Sequence, residues 1–311
     1  MDNKKSVYGK ILFLILIFAI VFALSSSEFF NWPLSLYNLI TGRATTSTTS
    51  LNISVTNTAP IITFVSAIAA TDPTESSTVN IRVNFTANDA NGGSDLDRFG
   101  GQARFQFTGQ TTRSNLSCSN VTGVFSSNNM NFTCTVGMWY FDVPASWTAN
   151  ITINDSANAR GENSTTTFTF NTLNAMVMSP TALTWASLSI TSTNVGSNND
   201  PITINNTGNK NVTNVTVTGI DLRGESNGAF AIFARNISVN AVDVSDGFLM
   251  LNNSAVQVEN ATLLRGNNSL NYGNETSGQE QIYFYVEALN PDLTSQAYST
   301  LAGGAWTVTS Q

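Results

Sequence analysis

VNIRVNFTAN (residues 79–88) alternates without a break: Val79, Ile81, Val83, Phe85 and Ala87 are apolar, and Asn80, Arg82, Asn84, Thr86 and Asn88 are polar. Successive side chains on a strand point to opposite faces, so this stretch predicts a β-strand with one face buried and the other in water. The same period of two recurs in RFQFT (104–108), NFTCTV (131–136), WTANITIN (147–154) and TTTFTFN (165–171). Clusters of Gly, Asn, Asp and Ser separate the runs, as they do in β-sandwiches. A second series starts after NAMVMSP (174–180), with candidate strands at residues 202–206, 212–218, 229–233, 248–251, 255–264, 282–287 and 306–309. NTGN (206–209) is placed to turn a hairpin between the first two. No helical stripe of comparable strength follows residue 45, so the expected fold is all-β, with two tandem sandwiches at residues 51–175 and 176–311.

Ahead of the strands stands a different kind of segment. Lys4, Lys5 and Lys10 precede fourteen apolar or small residues, Ile11 to Leu24. As a helix these span about 21 Å, short of the ~30 Å hydrocarbon core of a bilayer. Extension to Ser6, with Lys10 snorkelling to the headgroups, makes a span feasible. Residues 1–24 therefore read either as a cleaved signal peptide, which suits the short core and the small residues Ala23 to Ser26, or as a retained transmembrane anchor. Phe29, Phe30, Trp32 and Tyr37 follow as an interfacial belt would. A prepilin-like leader cut after Gly9 is a third reading, against which Tyr8 stands. The first two place the lysines inside and the rest of the chain outside the membrane. Residues 25–50, ending in ATTSTTS, form a Ser/Thr-rich connector with no apolar period.

Only 11% of residues are charged, against ~25% in an ordinary soluble protein. Beyond residue 50 there are nine Arg or Lys and eighteen Asp or Glu, an acidic excess that argues against a nucleic-acid partner. Histidine is absent from the sequence, which excludes Ser-His-Asp and Cys-His nucleophile activation. A two-carboxylate glycosidase needs no fixed spacing, but no pair of acids is singled out, and the expectation is that the chain is not an enzyme. Trp139-Tyr140-Phe141, Tyr283-Phe284-Tyr285 and Trp306 are read as core or interdomain packing in preference to a carbohydrate platform.

Two cysteines, Cys118 and Cys134, form in an exported chain most simply one disulfide. Cys134 shares the inward parity of Phe132 and Val136, which puts the bridge beside the core. Sixteen N-x-S/T sequons occur where random placement of the 39 Asn predicts about nine. Polar-apolar alternation in an Asn/Thr-rich chain generates some of these automatically. Strand parity turns Asn84, Asn131, Asn150 and Asn154 outward, and with Asn205 and Asn214 they are the candidate glycosylation sites. NDANGGSDLD (88–97) gathers Asp89, Asn91, Asp95 and Asp97 in a Gly-rich loop. Alternating carboxylates and amides suit a Ca²⁺ ion; the competing reading is a turn whose Asp and Asn side chains bond their own backbone. No other cofactor is expected.

TNTAPIITFV (56–65), VNFTANDANGGSDLD (83–97) and PITINNTGNKNVTNVTVTGIDL (201–222) resemble archaeal cell-surface proteins built from immunoglobulin-like β-sandwiches. The resemblance extends over residues 51–311 and rests on short motifs of low specificity. It implies immunoglobulin-like domains and a glycosylated structural or interaction role in an S-layer-like coat, on the extracellular face of the membrane or envelope. It carries no catalytic residue over. The chain ends at Gln311 after the strand-like AWTVT (305–309), so tethering is expected from the N-terminal helix or from partner subunits. The expected partners are the membrane, through that helix, and further copies or other envelope proteins. The alternative functions are an adhesin or ligand-binding ectodomain, using the loops 88–101 and 222–229, and a pilin-like filament subunit.

Overall fold

The computed structural model describes residues 50–121, 128–266 and 278–310. Met1–Thr56 and Asn57–Gln311 separate into two compact units. Of the first, only residues 50–56 are described, and they are exposed and outside any strand. The expected N-terminal helix therefore lies outside the described residues, among which no helix is long and apolar enough to cross a membrane. The second unit is all-β: among its described residues the one helical element is a single 3-10 turn, Ala234–Asn236.

Eight strands enclose a first core: β1 (Ile61–Val65), β2 (Thr78–Asn88), β3 (Gln102–Gln106), β4 (Arg113–Asn115), β5 (Ser119–Asn120), β6 (Asn129–Trp139), β7 (Ser146–Asn154) and β8 (Arg160–Thr169). They form two antiparallel sheets, ordered β1-β2-β6-β5 and β4-β3-β7-β8. The VNIRVNFTAN stretch lies in β2, and its alternation appears as burial: Ile81, Val83, Phe85 and Ala87 are buried while Arg82 and Asn84 are exposed. Its partner β6 obeys the same rule, and Phe85 stacks on the directly opposed Phe132 with ring centroids 4.9 Å apart. Ala103 and Phe105 of β3 and Trp147, Ile151 and Ile153 of β7 supply the other half of this core. Gly101 is required here, because a Cβ would come within 2.9 Å of the Phe132 ring.

Cys118 and Cys134 are bridged, with Cα atoms 4.6 Å apart, and both are buried in this core. The register Ser119↔Thr133, continued by one residue, places Cys118, just ahead of β5, directly opposite Cys134 of β6. That Cα separation is the close spacing of a non-hydrogen-bonded antiparallel pair. The bridge therefore stitches β5 to β6 within one sheet, unlike the bridge between sheets of antibody domains.

Among the described residues one ion pair is buried. The Arg113 guanidinium donates to both Asp142 oxygens, from Nε at 2.9 and 3.0 Å and from Nη2 at 2.5 Å, and the Trp139 N–H donates to Asp142 Oδ2 at 2.7 Å. Burial pushes the Asp142 carboxyl up, and the Arg113 fork and the Trp139 N–H oppose it.

A second core is built from β9 (Met176–Ser179), β10 (Thr193–Gly196), β11 (Ile202–Asn206), β12 (Val215–Gly219), β13 (Leu222–Gly224), β14 (Ala231–Ile232), β15 (Ile237–Asn240), β16 (Phe248–Leu249), β17 (Ser254–Gln257), β18 (Gln279–Ala288), β19 (Tyr298–Ser299) and β20 (Thr307–Ser310). The sheets run β16-β15-β18-β11-β9, with β10 also on β18, then β17-β12-β20 and β14-β13-β19. Ile204, Val217, Val239, Leu263 and Phe284 are among its buried members.

NTGN (206–209) does not close a hairpin. β11 pairs with β9 and β18, and β12 with β17 and β20, so the segment crosses between sheets. Its side chains explain why. Asn206 Oδ1 accepts the Gly208 N–H at 3.0 Å, an Asx turn, while Asn206 Nδ2 donates to the Lys210 carbonyl at 2.8 Å. Asn209 bonds the preceding region, its Oδ1 accepting the Leu173 N–H and its Nδ2 donating to the Asn171 carbonyl. The Thr207 hydroxyl donates to Glu75 at 2.6 Å. A Cβ on Gly208 would overlap the Leu173 carbonyl. A second contact joins the halves: Arg265 donates to the Phe141 carbonyl at 3.0 Å and to Gln110 Oε1 at 2.8 Å, and the Tyr140 hydroxyl donates to the Gly266 carbonyl at 3.2 Å. Tyr140 and Phe141 are thus buried packing residues, as is Phe284, against which Trp306 sits edge-on.

Two stability outcomes follow. Arg113→Met strands the buried Asp142 carboxylate and should cost about 3–5 kcal/mol, whereas the double variant Arg113→Met/Asp142→Leu should recover most of that loss. Replacing both cysteines by Ala should cost ~3 kcal/mol for a loop closed over 16 positions. Urea denaturation of each variant measures both.

Candidate functional site

β2 runs straight into the loop NDANGGSDLD, and β7 ends in the similar string Asn154-Asp155-Ser156. An isolated antiparallel bridge between Leu96 and Asp155 brings the two strand ends together. Backbone bonds fix the contact: Asp97 N–H donates to the Asn154 carbonyl at 3.0 Å, and Ser156 N–H to the Asp95 carbonyl at 2.7 Å. The result is a cluster of three carboxylates, Asp89, Asp95 and Asp155, each with an oxygen within 4.8 Å of the others. Asp89 and Asp155 are buried and Asp95 is half-buried.

The three acids differ in their partners. Asp155 Oδ1 accepts the N–H groups of Ala157 at 2.9 Å and Ala159 at 2.7 Å, and its Oδ2 accepts from Asn57 Nδ2 at 2.8 Å. The Asn57 amide, then the Ala159 and Ala157 N–H groups, hold the Asp155 carboxyl below its ordinary value against the opposing effect of burial. Asp95 Oδ1 accepts the Ser156 hydroxyl. Asp89 Oδ1 accepts the Asn91 N–H at 2.7 Å, but its Oδ2 is enclosed and has no hydrogen-bond partner. The two ion pairs among the described residues, Arg113–Asp142 and Arg160–Glu162, include none of the three acids. Such an all-oxygen donor set has the chemistry of a hard-cation site.

Of the four acids and amides that the loop sequence offered, the fold therefore unites Asp89 and Asp95, gives Asp97 to a turn and points Asn91 at the entering chain. Asn91 Oδ1 accepts the Thr58 N–H at 2.9 Å, and Asp97, exposed, accepts the Phe99 N–H two residues on at 2.9 Å. Asp97 thus closes an Asx turn on its own backbone, whereas Asn91 holds a segment 33 residues earlier. Asp155, sixty residues after Asp95, is missed by reading the loop alone. The signal in the sequence is the Asn-Asp pair repeated at the ends of two alternating strands.

The candidate glycosylation residues fall into two groups. Asn84 and Asn131 are exposed on the outer face of β2 and β6, where Thr133 donates to Asn84 Oδ1 and Thr86 to Asn131 Oδ1, each at 2.7 Å. Asn150, Asn154, Asn205 and Asn214 are half-buried, and the Oδ1 atoms of Asn150, Asn205 and Asn214 are enclosed without a partner. In the second half, burial pushes the Asp200 carboxyl up, and a hydrogen bond to Asp243 pushes the Tyr285 phenol up to about 12. No protein-family model and no curated protein matches the chain.

The depressed Asp155 acidity has a pH consequence. Its folded-state value lies below the ordinary one, so the stability it contributes is complete above the ordinary carboxylate range and is lost as pH falls through the lowered value. Asn57→Ala removes the principal donor and should raise the Asp155 value, starting the acid loss of stability at higher pH. Carbon-detected carboxylate titration and acid unfolding in metal-free buffer measure the two effects.

Proposed function

We propose that this chain is an exported structural protein of the cell envelope, an S-layer-like or surface-coat subunit. In this reading two immunoglobulin-like sandwiches, residues 51–175 and 176–311, stand on the extracellular face, and residues 1–24 act as export signal or membrane anchor. The observation that carries it is the Cys118–Cys134 bridge enclosed in the first core. Structural bridges of this kind belong to oxidising compartments outside the cytosol.

Two surface features support the structural role. The outer face of β2 and β6 is a ladder of mostly neutral Asn and Thr side chains bonded across the strands, including Asn88 to Asn129 at 2.7 Å, with Arg82 as its one charge on β2. Neighbouring subunits meet little charge repulsion on such a face, and Asn84 and Asn131 are open there to glycans. The edge strand β16 is apolar and exposed, with Phe248 at 41% and Leu249 at 52%, and exposed Val242, Val244 and Leu251 lie close by in sequence. An apolar sheet edge of this kind is a natural contact for a further copy. The role is architectural, without a catalytic step.

Electron microscopy of native envelopes, with intact mass of the extracted chain, tests the assignment. The expected result is a regular array whose subunit exceeds the polypeptide mass, with glycan on Asn84 or Asn131. Scattered single copies carrying the bare polypeptide mass would overturn it.

A further inference from the structure

We propose that Asp89, Asp95 and Asp155 form a calcium site that pins the entry segment of the compact unit, residues 57–60, to the first core. The inference is independent of the envelope assignment, since it rests on the strand ends alone.

Three observations converge on it. One oxygen of each carboxylate lies within 4.8 Å of one from each of the others, close enough for a single Ca²⁺ to touch all three, since oxygens at 2.3–2.6 Å on opposite sides of the ion are roughly 5 Å apart. Next, Asp89 is fully buried and one of its oxygens meets no donor. An enclosed carboxylate oxygen without a donor or counter-charge is costly, and the cost rises with two more carboxylates beside it. A divalent cation removes both the desolvation and the repulsion at once. Finally, the other two acids are fixed by donors of their own. Asn57 and the Ala157 and Ala159 N–H groups donate to Asp155, and the Ser156 hydroxyl donates to Asp95. These bonds orient the acids as outer partners orient metal ligands.

The functional consequence lies in residues 57–60. Asn57 donates to Asp155 and Thr58 to Asn91, so the entry segment is tied to the two strings that supply the acids. Pro60 packs so closely on Gly161 that a Cβ there would overlap the Pro60 carbonyl. With calcium neutralising the acids, the segment is held on a rigid platform; without it, repulsion between the acids loosens the loop that carries Asn91 and the turn that carries Asp155.

Full-length protein in detergent, stripped with EGTA, is titrated with CaCl₂ by calorimetry and followed by thermal unfolding and hydrogen exchange. At a hundredfold excess over Kd the melting temperature should rise by roughly 5–10 °C, and exchange should slow at residues 57–60. Asp89→Asn should raise the melting temperature in EGTA, because the orphaned charge is gone, and should abolish the calcium increment. Asp95→Asn, at a half-buried position where folding is least at risk, should weaken calcium binding at least tenfold. Asp97→Asn, exposed and turned to its own backbone, should bind as wild type does. Absence of a binding heat in wild-type protein would overturn the proposal, as would an undiminished calcium increment in Asp89→Asn.

Discussion

The register between β2 and β6 is the constraint from which the first half of the molecule follows. Eleven residues on each strand pair without a bulge, from Thr78↔Trp139 to Asn88↔Asn129. A slip of one position would turn every inward side chain to water. Held in place, the register stacks Phe85 on Phe132 and lines Val83 against Cys134. It also aligns Asn84 with Thr133 and Thr86 with Asn131 outside, so one pairing sets both the core and the polar ladder. The disulfide reinforces the same alignment from the other edge of β6, since β5 is only two residues long and has little ladder of its own.

Two cores in one compact unit need a joint that does not cost them their independence. The structure uses polar turns in place of a shared apolar surface at NTGN. Asn206, Thr207 and Asn209 are all buried, and each bonds a named partner in the adjoining segment or in its own turn. Buried polar groups are tolerable when satisfied, and they then fix geometry more sharply than apolar contacts do. Arg265 does comparable work elsewhere, reaching the Phe141 carbonyl next to the Asp142 that Arg113 holds. The first core's buried ion pair and the contact between halves are therefore neighbours in sequence.

How much of this could be read from the chain depended on element length. β2, β6, β7 and β11 are long or regular enough for a period of two to show, and each lies where the alternation put it. β4, β5, β14 and β19 are two or three residues long, too short to carry any period, and exist because a neighbouring strand offers a partner. The run 255–264 alternates well, yet only Ser254–Gln257 is a strand, since Val258 and Ala261 are buried by a turn. NTGN misled for a physical reason: an Asx turn looks the same in sequence whether the chain returns along its own sheet or crosses to another. The acidic cluster was half legible. Asp89 and Asp95 share a loop, but Asp155 joins them only through the pairing of Leu96 with Asp155, a long-range contact whose trace in the sequence is the Asn-Asp pair at both strand ends.

Asp142 and Asp89 show two solutions to one problem. Both are buried carboxylates at the end of a strand or just beyond it, β6 and β2 respectively. Asp142 is met by a guanidinium that donates to both oxygens, so its charge is compensated within the fold. Asp89 receives one backbone N–H and faces two more acids. A fold that needed only turn geometry at Asp89 could use Asn, which accepts the same N–H without a charge. Retaining three acids at one point makes physical sense if positive charge arrives from solution, and the all-oxygen donor set selects a hard cation over a soft one. Compensation from outside is also conditional, rising and falling with ion concentration, whereas the Arg113 fork is permanent. The rigid part of the first core thus has its counter-charge built in, and the part that meets the entering chain at Asn57 depends on its surroundings.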